Sequence, residues 1–448
     1  MSIRETLRFW MTLDRQVDRR TYLFHGLALA GLKYGVDAAL VGLATGTLWT
    51  PWSYLMSAPV LLSSRFADAP GYLAPVLVVW TLPFLWIGVS MTLRRSLDAG
   101  WSAWLSLLFF VPIASYLLIA SLCVAPGSER ASAGATAEPA GSRLPSALLS
   151  IAFGSLLGLA MMWLSVLMLN SYGLALFMGT PFAVGVTTSF VLCRRYPATN
   201  RETLEVVTMT SFVIAGAAFA LGTEGVVCLL MLLPLGLVLA LLGGILGRRI
   251  ARHDPRSVRG ATMALLLLPT ATVIEGGPAV ESLRAVRTSI EIEAPTSEVW
   301  ERVIAFPELA EPTALIFQLG VAYPTHAEIK GSGVGAIRYC VFSTGAFVEP
   351  ITAWEPGRRL AFDVTESPPP LRELSPYRTA PPHLEGYLAP RRGEFLLEAL
   401  PEGRTRLIGT TWYEQRLEPE GYWALFSDVI IKKIHTRVLE HIKMVSEG

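Results

Sequence analysis

Charge is what this chain lacks. Asp, Glu, Lys and Arg make up 16% of its 448 residues, against roughly 25% in a soluble domain. The deficit is uneven. Residues 1–276 hold 19 Lys and Arg and 13 Asp and Glu, with Lys33 as the single lysine, whereas residues 277–448 hold 18 and 23. A net charge of +1 with no basic stripe gives no footing for nucleic-acid binding. Cysteine is scarce as well. Cys123, Cys193 and Cys228 lie in apolar runs and Cys340 stands alone, so no disulfide framework is implied. The metal- and phosphate-binding motifs are missing, and neither a metal nor a cofactor is expected.

What remains is apolar. Hydrophobic residues make up 52% of the chain and the mean hydropathy is +0.46. A membrane crossing needs about 20 apolar residues. Candidates lie at 21–45, 72–91, 103–124, 147–170, 173–193, 204–222, 226–246 and 260–275. A Ser-, Ala-, Gly- and Pro-rich stretch divides them. The expected organisation is a three-span domain over 1–127, a linker over 128–146, a five-span region over 147–276 and a water-soluble domain over 280–448.

Cytoplasmic loops collect Lys and Arg. Arg4, Arg8, Arg15, Arg19 and Arg20 place the N-terminus inside a bacterial-type inner membrane. Arg194, Arg195 and Arg201 follow the fifth segment, and Arg248, Arg249, Arg252, Arg256 and Arg259 follow the seventh. With those loops inside, the last segment runs outward and the soluble domain is extracytoplasmic. Eight crossings from an inside start would end inside, so either the charge rule fails in one half, or the eighth segment does not span, or a further crossing raises the count from eight to nine. An extra crossing within 41–64 reconciles the two halves but places Arg94 and Arg95 outside. Lys33 and Asp37, one turn apart in the first segment, share a helix face. They form an intramembrane polar pair, a candidate for ion or proton transfer by default.

From about Ala285 the period changes to two, with alternating stretches at 285–294, 320–329, 335–343, 346–354, 358–365, 392–400 and 404–415. The chain closes on a long helix whose expected buried stripe is Trp423, Phe426, Ile430, Ile434, Val438 and Ile442. The fold class expected is therefore a multi-pass α-helical membrane region followed by an α+β domain, a curved antiparallel sheet around a C-terminal helix.

Two resemblances follow. RRSLDAGW, with Arg94, Arg95, Asp98, Gly100 and Trp101, resembles the YhaH-type small inner-membrane domain over roughly 8–127. Leu97 stands where that family usually has His. TSIEIEAPTSEVWERVIAF and the strand order after it resemble the SRPBCC superfamily, the START-like and polyketide-cyclase-like helix-grip fold, over roughly 285–446. That resemblance implies a cavity between sheet and helix, and pockets of this kind are mostly apolar with a few orienting polar groups.

The candidate ligand-binding residues are Arg338, Glu349, Trp412, Glu414, Tyr377, His383 and His435. Arg338 and Glu349 interrupt neighbouring apolar strands, so they pair if they face inward. Trp412 and Glu414 share a face by the two-residue period and would stand beside Arg338. Tyr377 and His383 lie in a Pro-rich insertion, a candidate lid. His435 and His441 are six apart on one helix and point to different faces. The leading expectation is a non-enzymatic module for a hydrophobic small molecule or lipid. The alternatives are a cyclase- or hydrolase-like enzyme using His383 or His435, and a transporter or sensor with the soluble domain as its ligand module.

Overall fold

The computed structural model describes residues 3–11, 16–55, 69–70, 72–110, 114–128, 142–169, 171–253, 283–372, 386 and 388–448. The chain divides into two compact units, one of 1–215 and 234–280, the other of 216–233 and 281–448. The segment expected to cross at 260–275 and the insertion carrying Tyr377 and His383 lie outside the described residues.

The helical part begins with α1 (Ile3–Met11), α2 (Arg19–Thr45), α3 (Leu73–Asp98) and α4 (Ala114–Val124). It continues with α5 (Arg143–Met162), α6 (Thr180–Arg195), α7 (Asn200–Ala220) and α8 (Val226–His253). Short π-helical segments, Trp163–Met168 and Ala175–Gly179, extend α5 and precede α6. Among the described residues, five helical stretches are long and apolar enough to cross a membrane: 19–45, 143–166, 175–195, 200–220 and 226–253. α3, with 26 residues, is of crossing length too.

α2 and α3 run antiparallel. Tyr22, near the start of α2, hydrogen-bonds Thr92, near the end of α3, at 3.0 Å. At the same end Arg94 donates to the Phe9 carbonyl at 2.7 Å, and its guanidinium lies 4.4 Å over the Phe9 ring. Arg94 and Arg95 therefore stand beside the basic N-terminal segment. An extra crossing within 41–64 would set Arg94 and Arg95 on the far side from that segment. The chain instead turns at Gly46 and folds back, Tyr54 donating to Asp37 at 2.6 Å.

The expected crossing at 103–124 is broken. A 3-10 segment, Ala103–Phe110, runs back along α3 until the Phe109 ring fills the space beside Gly88. α4 has only 11 residues and returns to the level it left. Its end is fixed by Arg95, which donates to the Leu122 carbonyl at 3.0 Å, to the Ala125 carbonyl, and to Asp98 at 2.5 Å. The last carbonyls of a helix have no partner of their own, and Arg95 supplies one. The RRSLDAGW motif is thus the clasp of a helical hairpin. Gly100, with φ +68°, makes the turn, and the Ser128 amide closes it on the Asp98 carbonyl at 2.8 Å.

The other helices bring their basic ends together. Val89 and Leu93 of α3, Val186 to Cys193 of α6, Val206 of α7 and Leu246 to Ala251 of α8 form one core cluster. Arg248 donates to the Ala198 carbonyl at 2.9 Å, and Arg143 pairs with Glu202 at 3.3 Å.

The C-terminal part is a seven-stranded antiparallel sheet ordered β1-β7-β6-β5-β4-β3-β2. Its strands are β1 (Leu283–Ile292), β2 (Pro324–Lys330), β3 (Ile337–Phe342), β4 (Gly345–Glu355), β5 (Arg359–Asp363), β6 (Leu388–Ala399) and β7 (Thr405–Gln415). The helices α9 (Thr296–Ile304) and α10 (Leu315–Gln318) follow β1, and α11 (Glu420–Glu447) closes the chain. Sheet and α11 enclose a core that includes Val299, Phe306, Leu360, Leu407, Leu439 and Ile442. This is the helix-grip arrangement. The buried stripe of α11 differs from the expected one. Trp423, Ser427, Ile431, Val438 and Ile442 are buried, whereas Phe426, Ile430 and Ile434 are only half-buried. Apolar residues on two faces made the choice ambiguous, and the sheet takes the face with Ser427 and Ile431.

Candidate functional site in the helix grip

Strand parity decides what enters the grip. On β7, Leu407, Gly409, Thr411 and Tyr413 face α11: Gly409 lies against Leu439, Thr411 bonds His435, and Tyr413 bonds Asp428. Trp412 and Glu414 project from the opposite face. There Trp412 stacks under the Arg392 guanidinium at 4.8 Å, and Glu414 pairs with Arg391 at 2.7 Å and Arg416 at 3.2 Å. The expected placement of Trp412 and Glu414 beside Arg338 is therefore corrected, because both project from the face of the sheet turned away from α11, where Glu414 is buried under its arginine partners.

Arg338 and Glu349 do enter. They are directly opposite in the β3–β4 register and form a buried ion pair. Arg338 also donates from Nε to the Ile304 carbonyl at 3.2 Å. The rings of Phe306, Phe362 and Phe395 lie 5.6, 5.4 and 5.6 Å from its guanidinium. Burial raises the Glu349 carboxyl, and the Arg338 charge works against that rise. Beside them burial, with the Glu349 charge, pushes the Cys340 thiol up to about 12, so it is no thiolate nucleophile. Outward from the pair, Phe342 and Phe347 meet edge to face at 4.7 Å, both half-buried against the core.

His435 sits between α11 and the sheet, held by two threonines. Nε2 is 2.8 Å from the Thr411 hydroxyl and Nδ1 is 3.2 Å from the Thr288 hydroxyl. A neutral imidazole needs one donor and one acceptor, and two hydroxyls serve either tautomer. Burial pushes its pKa down to about 4 from the ordinary 6.5. The folded group is thus neutral above pH 4, while the unfolded chain takes up a proton below 6.5. Stability is full above pH 6.5 and falls as pH drops toward 4, by about 3 kcal/mol at most. Urea unfolding at pH 7.5 and 4.5 is expected to show this loss, and His435→Gln to flatten it. An identical pH dependence in the two proteins would contradict the assignment.

His441, one residue before Ile442 at the end of the buried stripe, is not among the residues the sequence offers as candidates. It is 8% exposed, its ring meets Phe306 edge-on at 6.0 Å, and Nε2 has no hydrogen-bond partner among the described residues. Burial lowers its pKa, with the Arg437 charge acting in the same direction. Thr288 and Thr411 were missed as well, although parity in TSIEIE and TTWYE carries them once one inward residue is known. Tyr413, Asp428, Arg284 and Glu420 make a further cluster at the start of α11, with Tyr413 donating to Asp428 at 2.5 Å and Arg284 to Glu420 at 3.2 Å. Among the described residues no three His, Cys, Asp or Glu side chains are placed to hold a metal ion.

In the helical part, Lys33 and Asp37 pair at 2.5 Å. Tyr54 adds to the same carboxylate oxygen, and its ring lies 5.2 Å from the Lys33 ammonium. No sequence signal ties Tyr54 to this pair.

Residues 10–133 match the family described as "Protein of unknown function (DUF805)", which covers the YhaH-type domain. No curated protein sequence matches the chain. Solved structures align with the C-terminal part. One is a protein of Nitrosospira multiformis, 18% identical over 36% of this chain and 96% of that one, at a TM-score of 0.25. The ZhuI aromatase/cyclase of Streptomyces is 15% identical over 37% and 94%, at 0.24. Truncated norcoclaurine synthase of Thalictrum flavum is 15% identical over 38% and 96%, at 0.25.

Proposed function

We propose that this chain is an integral membrane protein that displays its helix-grip domain on the extracytoplasmic face, where the interior of the grip binds a hydrophobic or lipid-like small molecule without transforming it. The observation that carries the binding reading is the state of the interior polar groups. Arg338 and Glu349 neutralise each other, Cys340 is a thiol, and both ring nitrogens of His435 are occupied. General acid–base work needs a group titrating near neutrality within reach of substrate, and none of these provides it. An aromatic interior with a few fixed dipoles is suited to hold and orient an apolar ligand.

The orientation rests on the hairpin of residues 103–124. Because α4 returns to Arg95, this segment does not count as a crossing. α2, α3, α5, α6, α7 and α8 are then six crossings, and their basic ends gather on one side. Arg65 is the exception among the arginines of the membrane part. Residues 260–274 carry no charge and follow five arginines, which supports a seventh crossing that leads outward. The N-terminus is then cytoplasmic, and, Arg65 apart, both halves of the membrane part follow the charge rule.

One preparation tests both halves. In intact spheroplasts, a membrane-impermeant maleimide is expected to label Glu440→Cys but not Arg201→Cys, both exposed positions. Native mass spectrometry of the same detergent-purified chain is expected to show a bound lipid-sized mass, depleted several-fold by Phe347→Ala and unchanged by Trp412→Ala on the outer face. The reverse labelling pattern overturns the orientation. Absence of any bound mass, or equal depletion by both substitutions, overturns the ligand reading. A second reading, an enzyme using a histidine inside the grip, has one observation in its favour, the unpartnered Nε2 of His441.

A further inference from the structure

The start of α11 has two faces. Trp423, Ser427 and Ile431 pack inward. Tyr422, Leu425, Phe426 and Val429, spaced by three and four, form a second stripe. Leu425 is 61% exposed and Val429 51%. The Tyr422 and Phe426 rings meet edge to face at 5.4 Å beside them. One turn further, Lys432 and Lys433 are both exposed. A contiguous apolar stripe on a water-soluble domain marks a contact surface.

Two features point to lipid. The stripe ends in cations, with aromatic rings that are amphipathic at a water interface, the pattern of a helix lying in the headgroup layer. Within the second unit, moreover, the Tyr422 hydroxyl donates to the carbonyl of Met231. Met231 lies about 8 Å along α8 from its first residue, in a helix apolar enough to cross a membrane and at the end away from Arg248. The stripe therefore begins close to where α8 meets the membrane surface.

We infer that the face of α11 formed by Tyr422, Leu425, Phe426 and Val429 rests in the interfacial layer of the bilayer, with Lys432 and Lys433 on anionic lipid phosphates. α11 is also one wall of the grip interior and carries His435 on its other side. Docking in this way sets that interior against the membrane surface, from which a lipid-like ligand would enter. The docking itself does not depend on the ligand reading.

The test uses the full chain, one copy per nanodisc of phosphatidylethanolamine and phosphatidylglycerol. An environment-sensitive fluorescent amino acid replaces Leu425, Val429 or, as control, Val334, which is 68% exposed on the β2–β3 turn. With brominated acyl chains, quenching is expected to be several-fold stronger at 425 and 429 than at 334. Lys432→Ala with Lys433→Ala is expected to weaken it, as is replacing phosphatidylglycerol by phosphatidylcholine. Equal quenching at all three positions overturns the inference. So does protection of 425 and 429 that appears only with two copies per disc, since a second copy would then be the occupant. Ligand occupancy by mass spectrometry is read separately, so loss of one result leaves the other standing.

Discussion

Glu349→Leu is expected to destabilise the helix-grip domain by about 3–5 kcal/mol, whereas Arg338→Met combined with Glu349→Leu is expected to recover most of that loss. The asymmetry follows from burial. The side chains of Arg338 and Glu349 are 2% and 7% exposed, and three phenylalanine rings close round the guanidinium. Removing the carboxylate leaves a cation with the Ile304 carbonyl and the Cys340 sulfur as its described acceptors, in surroundings that cannot solvate it. Removing both charges leaves an apolar gap that methionine and leucine fill; the Ile304 carbonyl loses its donor, at about 1 kcal/mol, and the weakly accepting Cys340 sulfur loses the same partner. Pulse proteolysis of the full chain in urea, reading the fragment from 283 onward, measures the two variants side by side. A single variant within 1 kcal/mol of wild type, as for an exposed pair, would mean that water reaches the pair and that the interior is not the closed environment described above.

The pair was legible in the sequence because each charge interrupts an apolar strand and the two strands are joined by a short turn. Their register makes them partners, and burial makes the pairing obligatory. Trp412 and Glu414 were read onto the wrong face for a related reason. β7 carries large or polar side chains on both faces, so alternation gives the period but not its phase; Thr411 and His435 fix the phase, and they meet only in three dimensions. The same limit applied to α11, whose two apolar stripes are alike in composition. One packs on the sheet, and the other is the face assigned above to the bilayer. In the membrane part, hydropathy counts apolar residues without their direction. A hairpin over 103–124 and a crossing of the same composition are indistinguishable until Arg95 is seen on the carbonyls at the end of α4. Tyr54 reached Asp37 with no sequence signal, since its approach depends on the fold-back after Gly46.

Gly185→Leu is expected to abolish assembly of the membrane helices, with Gly243→Leu doing the same from the partner side. A Cβ on Gly185 would lie 1.9 Å from the Ala240 carbonyl oxygen, and one on Gly243 would lie 2.1 Å from the Phe182 carbonyl oxygen. Gly247 meets the Val186 carbonyl in the same way at 2.3 Å. In each case the obstacle is helix backbone, which cannot rotate aside as a side chain does, so α6 and α8 must separate along their contact. Small residues let membrane helices approach this closely, and the association of helices in lipid rests on that packing because no hydrophobic driving force acts between them. The effect is therefore expected to exceed the ~1–3 kcal/mol of ordinary overpacking. Gly216→Leu is the control: it lies in α7 with no atom within 4 Å of an added Cβ and is expected to behave as wild type. Size-exclusion profiles and thermal unfolding in detergent report the outcome. A monodisperse Gly185→Leu protein with an unchanged melting temperature would show that α6 and α8 are not in backbone contact, and would remove the main evidence that the basic ends of these two helices lie on one side.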